Sequence, residues 1–536
     1  MFQEYDYIVV GGGSSGCVVA NRLSADPKVT VCLLEAGPSD RHGVVAFKSR
    51  LPVGTVMLLP HARYNWGYFF TGDAGLAGRS IASHRGRLSG GSSSVNGMLY
   101  MRGHPRDYDE WAEQGNPGWR WSDVLPTFIK QENREKGANE LHGAGGELNV
   151  APLRTLNSLT RAFLAAAEET QYPRNDDFNG VSQDGFGPWE VTQKNGQRWN
   201  SARAFLHPIA KRPNLTVSFD TEILRIELTE RRATGVIIRR DGQEMRLGAR
   251  REVVLTAGAY NSPKLLMISG IGDAAELKKV GIEPVHHLPG VGRNLQDHPT
   301  AWVEYEDISG KSAALNAKTI PRYAAAVFSY VFARRGPLTS NGVEAGGFLR
   351  TRSNFDRPDV QYVFMPARRA PGQFLPREHG FTLMPILLRP QSRGSVSLVS
   401  SRPEDKPKLE PNFLDNAVDV DTMVRGTLLA RQLVEASAFA PFRGRELNPG
   451  REVQSHRDME DFLRSTITTA YHPVGTCKMA PASDPNAVVD EKLRVRGIEG
   501  LRIADVSIMP TIIGGNTNAP AMMIGERAAG FAMSEK

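Results

Sequence analysis

The chain has 536 residues, of which 40% are hydrophobic and 23% charged, a globular composition that excludes a disordered or fibrous protein. Its net charge of +7 is a small excess of 65 basic over 58 acidic residues without a long basic run, so we expect no nucleic-acid partner. Three cysteines without a C-x-x-C pair argue against a disulfide framework, a zinc site and a redox dithiol, and we predict no metal.

Residues 5–35 have the pattern of one β-α-β unit, in which an apolar strand, a glycine turn and a helix are followed by a second apolar strand. Gly11, Gly13 and Gly16 form G-x-G-x-x-G, which permits a tight turn and close approach to a pyrophosphate. Glu35 follows at the spacing of a carboxylate that binds ribose hydroxyls. The motif alone does not separate FAD from NAD. The predicted dinucleotide site comprises Gly11, Gly13, Ser14, Ser15, Gly16, Glu35 and Ala36.

The rest of the chain contains loop-rich, helical and strand-like segments in turn. Residues 66–142 predict loops and short helices over a cofactor, 156–172 a helix, and 214–257 several alternating strands. We predict an α/β fold (α+β overall) with a discontinuous, Rossmann-like cofactor domain and a discontinuous substrate domain on a mostly antiparallel sheet. The cofactor domain is assigned residues 1–155, 212–300 and 462–536, and the substrate domain 156–211 and 301–461.

The most apolar helical stretch is residues 323–333, YAAAVFSYVFA, which is flanked by Arg322 and by Arg334 and Arg335. It is too short to span a bilayer, and we favour a buried helix beneath the ligand site. The alternative is a peripheral contact with the inner face of the cell membrane. Since the sequence shows no secretory signal and no run of 18 apolar residues, we expect a cytoplasmic protein.

Three further motifs accompany the glycine turn: residues 86–98 (GRLSGGSSSVNGM), residues 258–272, and residues 471–476 (YHPVGT) together with 516–520 (NTNAP). In this order they resemble the glucose–methanol–choline (GMC) oxidoreductase family over essentially the whole chain. The stretch 178–208 is most similar to the bacterial alkanol and polyethylene glycol dehydrogenases, beside the choline dehydrogenases. The resemblance implies FAD in the Rossmann-like domain.

The resemblance also implies further FAD contacts at Trp66, Arg87, Gly90, Gly91, Ser92, Asn96, Gly97, Met98, Ile223, Ala257, Gly258, Asp505, Asn516 and Thr517. In some relatives a histidine directly before the asparagine of the second motif is bonded covalently to the flavin. This chain has Val95 at that position, so we expect non-covalent FAD.

Oxidation of an alcohol requires a base for the hydroxyl proton and a donor for the developing alkoxide. His472 lies in the family's active-site motif, and imidazole suits proton transfer near neutral pH. Asn516 matches the second catalytic position, where its amide can donate to the alcohol oxygen but cannot accept a proton. Both residues are therefore predicted to be catalytic.

Glu344 is a candidate carboxylate of the substrate chamber, although a structural ion-pair role is the favoured alternative. His287 and His298 are interpreted as structural residues near a domain junction. The predicted activity is oxidation of aliphatic or polyether primary alcohols to aldehydes, with a quinone-like electron acceptor. Choline dehydrogenase, an oxidase that uses O2, and a hydroxynitrile lyase with an idle flavin are the alternatives. The oligomeric state is left open.

Overall fold

A computed structural model describes residues 3–72, 74–368 and 373–535. Two large sheets organise this part of the chain. Seven of its strands form the first sheet, namely Gln3–Val10, Val31–Leu34, Leu215–Ser218, Glu222–Thr229, Arg232–Arg240, Gln243–Leu255 and Leu501–Ile503. The parallel strands of this sheet consist largely of buried apolar residues, as expected for a sheet covered on both faces.

The long strand Gln243–Leu255 connects two types of pairing within the first sheet. Its first half pairs antiparallel with Arg232–Arg240, and its second half runs parallel to Gln3–Val10 and Leu501–Ile503. The parallel strands therefore end at one edge, where the glycine turn, Glu35 and the segment after Leu255 meet. Ligands of open α/β sheets bind at such carboxyl ends.

The second sheet is built from eight of the described strands and is antiparallel in its pairings. These strands are Gly185–Pro188, Pro299–Thr300, Val303–Asp307, Ala345–Leu349, Val360–Met365, Gly380–Leu387, Arg443–Asn448 and Thr468–Thr469. Helices Ser158–Glu169 and Ala417–Glu435 cover one face with a separate hydrophobic core. The predicted fold class, a Rossmann-like parallel sheet with an antiparallel substrate sheet, is confirmed.

The domain boundaries remain a prediction. The strands divide between the two sheets largely as the predicted ranges do. However, Pro299–Thr300 and Thr468–Thr469 come from ranges assigned to the first domain and pair in the second sheet. Segments of both predicted domains therefore meet where these two short strands pair. His298 and His472 lie close to these strands in the chain.

The remaining elements are short strand pairs and helices. The other strands are Tyr68–Phe70 with Ile81–Ser83; Glu132–Arg134, Leu148–Pro152 and Glu190–Val191; Gln193–Lys194 with Gln197–Arg198; Ile271–Gly272 with His286–His287; and Ser395–Ser397 with Lys408–Glu410. The other α-helices are Ser14–Leu23, Gly43–Arg50, Thr55–Leu58, Pro105–Glu113, Trp121–Gln131, Gly258–Ile268, Ala274–Lys279, Ile320–Ala333, His456–Thr466 and Asn518–Ser534.

The apolar stretch 323–333 does form a helix, Ile320–Ala333, but it is not a buried one. Phe328 is 65% and Phe332 73% exposed, and only Ala326 and Tyr330 of the helix are buried. The favoured prediction of a buried helix is therefore wrong, because most of its apolar side chains face solvent. Across the described residues, no helix combines the length and the apolar character needed to cross a membrane.

Candidate active site

A cavity of about 1920 Å³ extends from the glycine turn to the loop that carries His472. Small-molecule pockets usually measure about 300–1,000 Å³, so this cavity has room for a dinucleotide and a substrate together. The predicted site residues on its wall are Gly11, Gly13, Ser14, Ser15, Glu35, Ala36, Trp66, Gly91, Ser92, Asn96, Gly97, Met98, Ile223, Ala257, Gly258, Glu344, His472, Asp505, Asn516 and Thr517.

Three predicted cofactor residues lie behind the wall instead. A Cβ on Gly16 would lie 1.9 Å from the carbonyl oxygen of Gly11, so this glycine permits close packing of the turn. The N–H of Gly90 donates to the carbonyl of Gly12 at 2.8 Å. The Arg87 guanidinium lies over the Trp66 ring, 5.0 Å from its centroid. These residues therefore hold the lining residues in position without lining the cavity themselves.

The glycine turn is held against the loop of residues 86–98. A Cβ on Gly91 would lie 2.9 Å from the Cα of Gly13, closer than real Cβ atoms approach backbone. Helix Ser14–Leu23 begins at this junction, and its first turn contains no acidic residue. The positive end of the helix dipole therefore favours an anionic ligand such as a pyrophosphate.

Glu35 lies at the end of its strand, beside the glycine turn. Its two carboxylate oxygens accept hydrogen bonds from the N–H groups of Gly12 and Gly37, both at 2.8 Å. Burial raises the pKa of Glu35 to about 7, against the opposing effect of these bonds. These bonds hold the carboxylate in place on the cavity wall, where it can accept hydrogen bonds from ribose hydroxyls.

Asp505 is on the wall but has extensive structural contacts. One oxygen accepts from the N–H of Gly258 at 2.9 Å and from the Ser262 hydroxyl at 2.6 Å, and the other accepts from the Ser507 N–H. The carboxylate thereby joins the start of helix Gly258–Ile268 to the C-terminal segment. Its position on the wall follows the prediction, and its main visible role is to fix two wall segments together.

The residues present fit FAD. A glycine cradle that side chains would fill, a helix N-terminus without acidic residues and an oriented carboxylate lie along one continuous cavity. This cavity continues past Asn96 and Met98 to His472 and Asn516, as an extended dinucleotide with a ring system at one end requires.

His472 is buried at the far end of the cavity, directly after the second-sheet strand Thr468–Thr469. Its backbone N–H donates to a carboxylate oxygen of Asp297 at 2.7 Å, which fixes the loop. Burial, the neighbouring His298 and the charge of Arg85 hold the pKa of His472 well below its usual value. The imidazole is therefore neutral at physiological pH and able to accept a proton.

The contacts of His298 determine which nitrogen of His472 carries the proton. Nε2 of His298 lies 3.1 Å from the carbonyl oxygen of Leu388, which can only accept, so this nitrogen is protonated. Burial lowers the pKa of His298 to about 3, so its Nδ1 is an acceptor. Nδ1 of His472, 3.0 Å away, must then donate to it. Nε2 of His472 is therefore unprotonated, and its lone pair can accept a hydrogen bond or a proton.

Asn516 faces that lone pair. Its amide nitrogen lies 3.0 Å from Nε2 of His472, and its amide oxygen accepts from the side-chain NH2 of Gln361 at 3.2 Å. Gln361 therefore orients the amide with its donor toward Nε2 of His472. The pair presents one proton acceptor and one hydrogen-bond donor at the same point, as a reacting hydroxyl requires.

The wall next to this pair is largely apolar and comes from the second sheet. Thr300, which precedes the strand Val303–Asp307, pairs with both Thr468 and Ile386 at the corner beside the base. The neighbouring apolar wall residues are Trp302, Val343, Val363, Met365, Met384 and Ile386. This surface suits a hydrocarbon chain.

Glu344 lies on the cavity wall, yet both of its oxygens have protein partners. One accepts from the N–H of Asn157 and the hydroxyl of Thr160, each at 2.7 Å, and the other from the Ser340 hydroxyl at 2.7 Å. The side chain is buried. All three of these partners are neutral, so the contacts indicate a structural role for Glu344, but without the ion pair that the sequence analysis favoured.

Sequence reasoning missed His298 and Gln361. His298 was interpreted as structural, yet it contacts the base directly. Gln361 lies in the buried strand VQYVFM, where the Tyr362 hydroxyl is the only other polar side-chain group. A buried amide needs a hydrogen-bond partner, and this need could have identified Gln361 from the sequence. His287 lies apart from the site, where its Nδ1 accepts from the Ala274 N–H. No group of metal-binding side chains occurs among the described residues.

Comparisons with known proteins agree with this geometry. GMC oxidoreductase models match residues 5–300 and 390–525. The chain is 43% identical over 529 residues to an alcohol dehydrogenase [acceptor] of Pseudomonas putida, covering 98% of this chain and 95% of that protein. It is 41% identical to the mitochondrial choline dehydrogenase of Homo sapiens, covering 98% and 89%. The structure of pyridoxine 4-oxidase from Mesorbium loti superposes with a TM-score of 0.87 at 30% identity, covering 98% of each chain.

The site geometry and the full-length similarity lead to one assignment. FAD is the cofactor typical of the matched family, and the cavity fits it. The chain belongs to the GMC oxidoreductases and is a flavin-dependent enzyme that oxidises CH–OH groups.

Proposed function

We propose that the protein is a dehydrogenase of aliphatic or polyether primary alcohols that uses non-covalent FAD and a quinone-like electron acceptor. The observation that carries this proposal is the lone pair of His472 Nε2, an acceptor that the amide donor of Asn516 contacts at the apolar end of the cavity. A binding protein without chemistry would not require an oriented base.

In the proposed reaction, the alcohol oxygen contacts both Nε2 of His472 and the amide nitrogen of Asn516 from the side of the cavity. Nε2 of His472 accepts the hydroxyl proton while the Asn516 amide donates to the developing alkoxide, which lowers the barrier to hydride loss. When bound, FAD supplies the acceptor for the hydride that leaves the carbinol carbon. The alcohol thereby loses one proton and one hydride and becomes an aldehyde.

The charges around the base favour a neutral substrate. Arg85 is the cation whose charge lowers the pKa of His472, whereas His298, with a pKa of about 3, is neutral. A quaternary ammonium group would lie near the Arg85 cation and next to an apolar wall, which offers it no counter-charge. The proposed substrate class is therefore the alkanols and polyethers.

Choline dehydrogenase is the second candidate. Glu304 is a buried carboxylate on the same cavity wall, near the aromatic Trp302, and such a pair can attract a quaternary ammonium group. Its oxygens already accept from Asn448 and Thr382. Both oxygens of Glu304 are thus occupied by protein donors, so we rank choline second.

The substrate proposal is tested by adding 1-octanol, a polyethylene glycol or choline anaerobically to the holoenzyme and following the visible flavin absorbance. We expect rapid bleaching by 1-octanol and slow or no bleaching by choline. Bleaching by choline alone would reverse the ranking. Slow reoxidation in air and fast reoxidation by a soluble quinone are expected, and the opposite result would identify an oxidase.

Replacement of the base tests the mechanism. His472→Ala should slow flavin reduction by alcohol about 10²–10⁴-fold, because general-base catalysis contributes that much. His456→Ala is the control, since its side chain is 58% exposed on a surface helix. Normal reduction by the His472→Ala holoenzyme would refute the assignment.

Acid precipitation should release the flavin of the wild-type protein into the supernatant, because Val95 cannot form a covalent link.

A further inference from the structure

Helix Ile320–Ala333 presents an apolar ridge to solvent. Phe328 and Phe332 are in ring contact along this ridge, with centroids 4.4 Å apart. The exposed apolar side chains of the helix are Ile320 (59%), Val327 (52%), Phe328 (65%), Val331 (54%) and Phe332 (73%). A run of exposed apolar side chains along one helix usually marks an interaction site.

The charged side chains in the segment that contains the ridge are all positive. Residues 308–343 contain five basic side chains and no Asp or Glu. These five are Lys311, Lys318, Arg322, Arg334 and Arg335. Within the described residues none of the five forms an ion pair, whereas arginines elsewhere such as Arg22, Arg239 and Arg431 do. The segment therefore combines exposed apolar rings with uncompensated cations.

The ridge lies beside the mouth of the active-site cavity. Arg322 and Tyr323, from the first turn of the helix, line that cavity. Leu315 and Leu375 also line it and are 39% and 44% exposed, so they mark its outer edge. If another apolar surface covered the ridge, a compound leaving that surface could enter the active-site cavity directly, because the cavity opens next to the ridge.

We propose that this basic, apolar ridge docks the enzyme on an anionic lipid bilayer. Phenylalanine rings enter the boundary between headgroups and acyl chains, while neighbouring lysines and arginines contact anionic headgroups. A second copy of the chain is a poor occupant, because it would bring five unpaired cations against the same five. The helix lies in the plane of the interface, and its length excludes a spanning arrangement.

Flotation of the holoenzyme with vesicles tests the proposal. We expect binding to phosphatidylcholine vesicles that contain phosphatidylglycerol, weaker binding to phosphatidylcholine alone, and release at high salt. Phe332→Ser should lower the partition coefficient roughly tenfold, because one exposed ring is lost from the interface. Lys318→Glu should lower it about fivefold or more, because each basic residue near an anionic surface contributes about that factor.

Met245→Ser is the control, because Met245 is an exposed apolar side chain (44%) on strand Gln243–Leu255 of the first sheet. It should bind vesicles like the wild type, and all three variants should retain flavin and reduction by a soluble alcohol. Absence of flotation, or equal flotation of Phe332→Ser and wild type, would overturn the proposal. So would a wild-type dimer in solution that Phe332→Ser dissociates, since that result would assign the ridge to a second copy.

Discussion

At the scale of single residues, the chemistry depends on where the protons of two adjacent imidazoles lie. The Leu388 carbonyl fixes the proton of His298 on Nε2, and this fixes the proton of His472 on Nδ1. The base then meets the substrate with a lone pair. His298 acts through another side chain, so it is a positioning residue, whereas His472 and Asn516 are the proposed catalytic residues.

We predict that His298→Leu slows flavin reduction by alcohol about 100-fold, a loss typical of a misplaced catalytic group. The Nδ1–H of His472 would lack an acceptor, and its tautomer would no longer be fixed. His298→Asn should restore much of the rate, because its amide oxygen can accept that proton. Stopped-flow reduction measures the effect, with flavin content as the folding control. Equal rates for the two variants would show that His298 only fills space.

The lowered pKa of His472 has a kinetic consequence. Only the deprotonated imidazole accepts a proton, and a lowered pKa keeps that form populated at more acidic pH. The rate constant for reduction should therefore stay level from pH 8 through pH 6.5, the usual pKa of histidine. A decline with a midpoint near that value would contradict the neutral, buried base.

At the scale of elements, the cofactor site depends on how the first and last helices pack. Helix Asn518–Ser534 contacts helix Ser14–Leu23, and a Cβ on Gly525 would lie 2.7 Å from the carbonyl oxygen of Ser15. Gly530, in the same helix, has open space around it. One helix thus contains a glycine that packing requires and one that it does not.

We predict that Gly525→Ala destabilises the protein by about 1–3 kcal/mol through overpacking and weakens FAD binding, because Ser15 lies in the first turn of the cofactor helix. Gly530→Ala should be neutral or stabilising by up to about 1 kcal/mol, since alanine is the better helix former. Chemical denaturation and FAD titration of the apoprotein measure both effects. Similar behaviour of the two variants would contradict the packing argument.

At the scale of the whole molecule, Asp107 connects regions that are distant in the chain. Its buried carboxylate lies at the start of helix Pro105–Glu113, accepts from the Gly514 N–H at 2.7 Å, and pairs with Arg389 and Arg357. Burial alone would raise the pKa of Asp107, but the two arginines hold it below the usual value. The carboxylate thereby ties the Asn516 loop to the second sheet.

We predict that Asp107→Asn costs about 3 kcal/mol of stability, because it leaves two largely buried arginines without their shared partner. Asp356→Asn is the control, since that carboxylate is 72% exposed and lies 3.9 Å from Arg357. The contribution of Asp107 should be present above pH 4 and lost as the pH falls through its lowered pKa. Urea unfolding of both variants at neutral pH provides the measurement.

Much of this molecule could be predicted from local pattern. The glycine turn, Glu35 and the strands of the first sheet follow from spacing and periodicity within short windows, and the cavity wall contains nearly all of the predicted cofactor residues. His472 and Asn516 were selected by motif, and the structure brings them within hydrogen-bond distance. The domain boundaries and the substrate remain predictions.

The amino-acid sequence by itself determined the fold class and predicted the dinucleotide cradle and the proposed base, because each depends on residues close together in the chain. Only the tertiary structure decided the tautomer of that base, the orientation of Asn516 and the exposure of helix Ile320–Ala333. His298 is 174 positions from His472, and Gln361 is 155 from Asn516. No local pattern encodes such contacts, or the side of a helix that stays uncovered, because both arise when distant segments pack together.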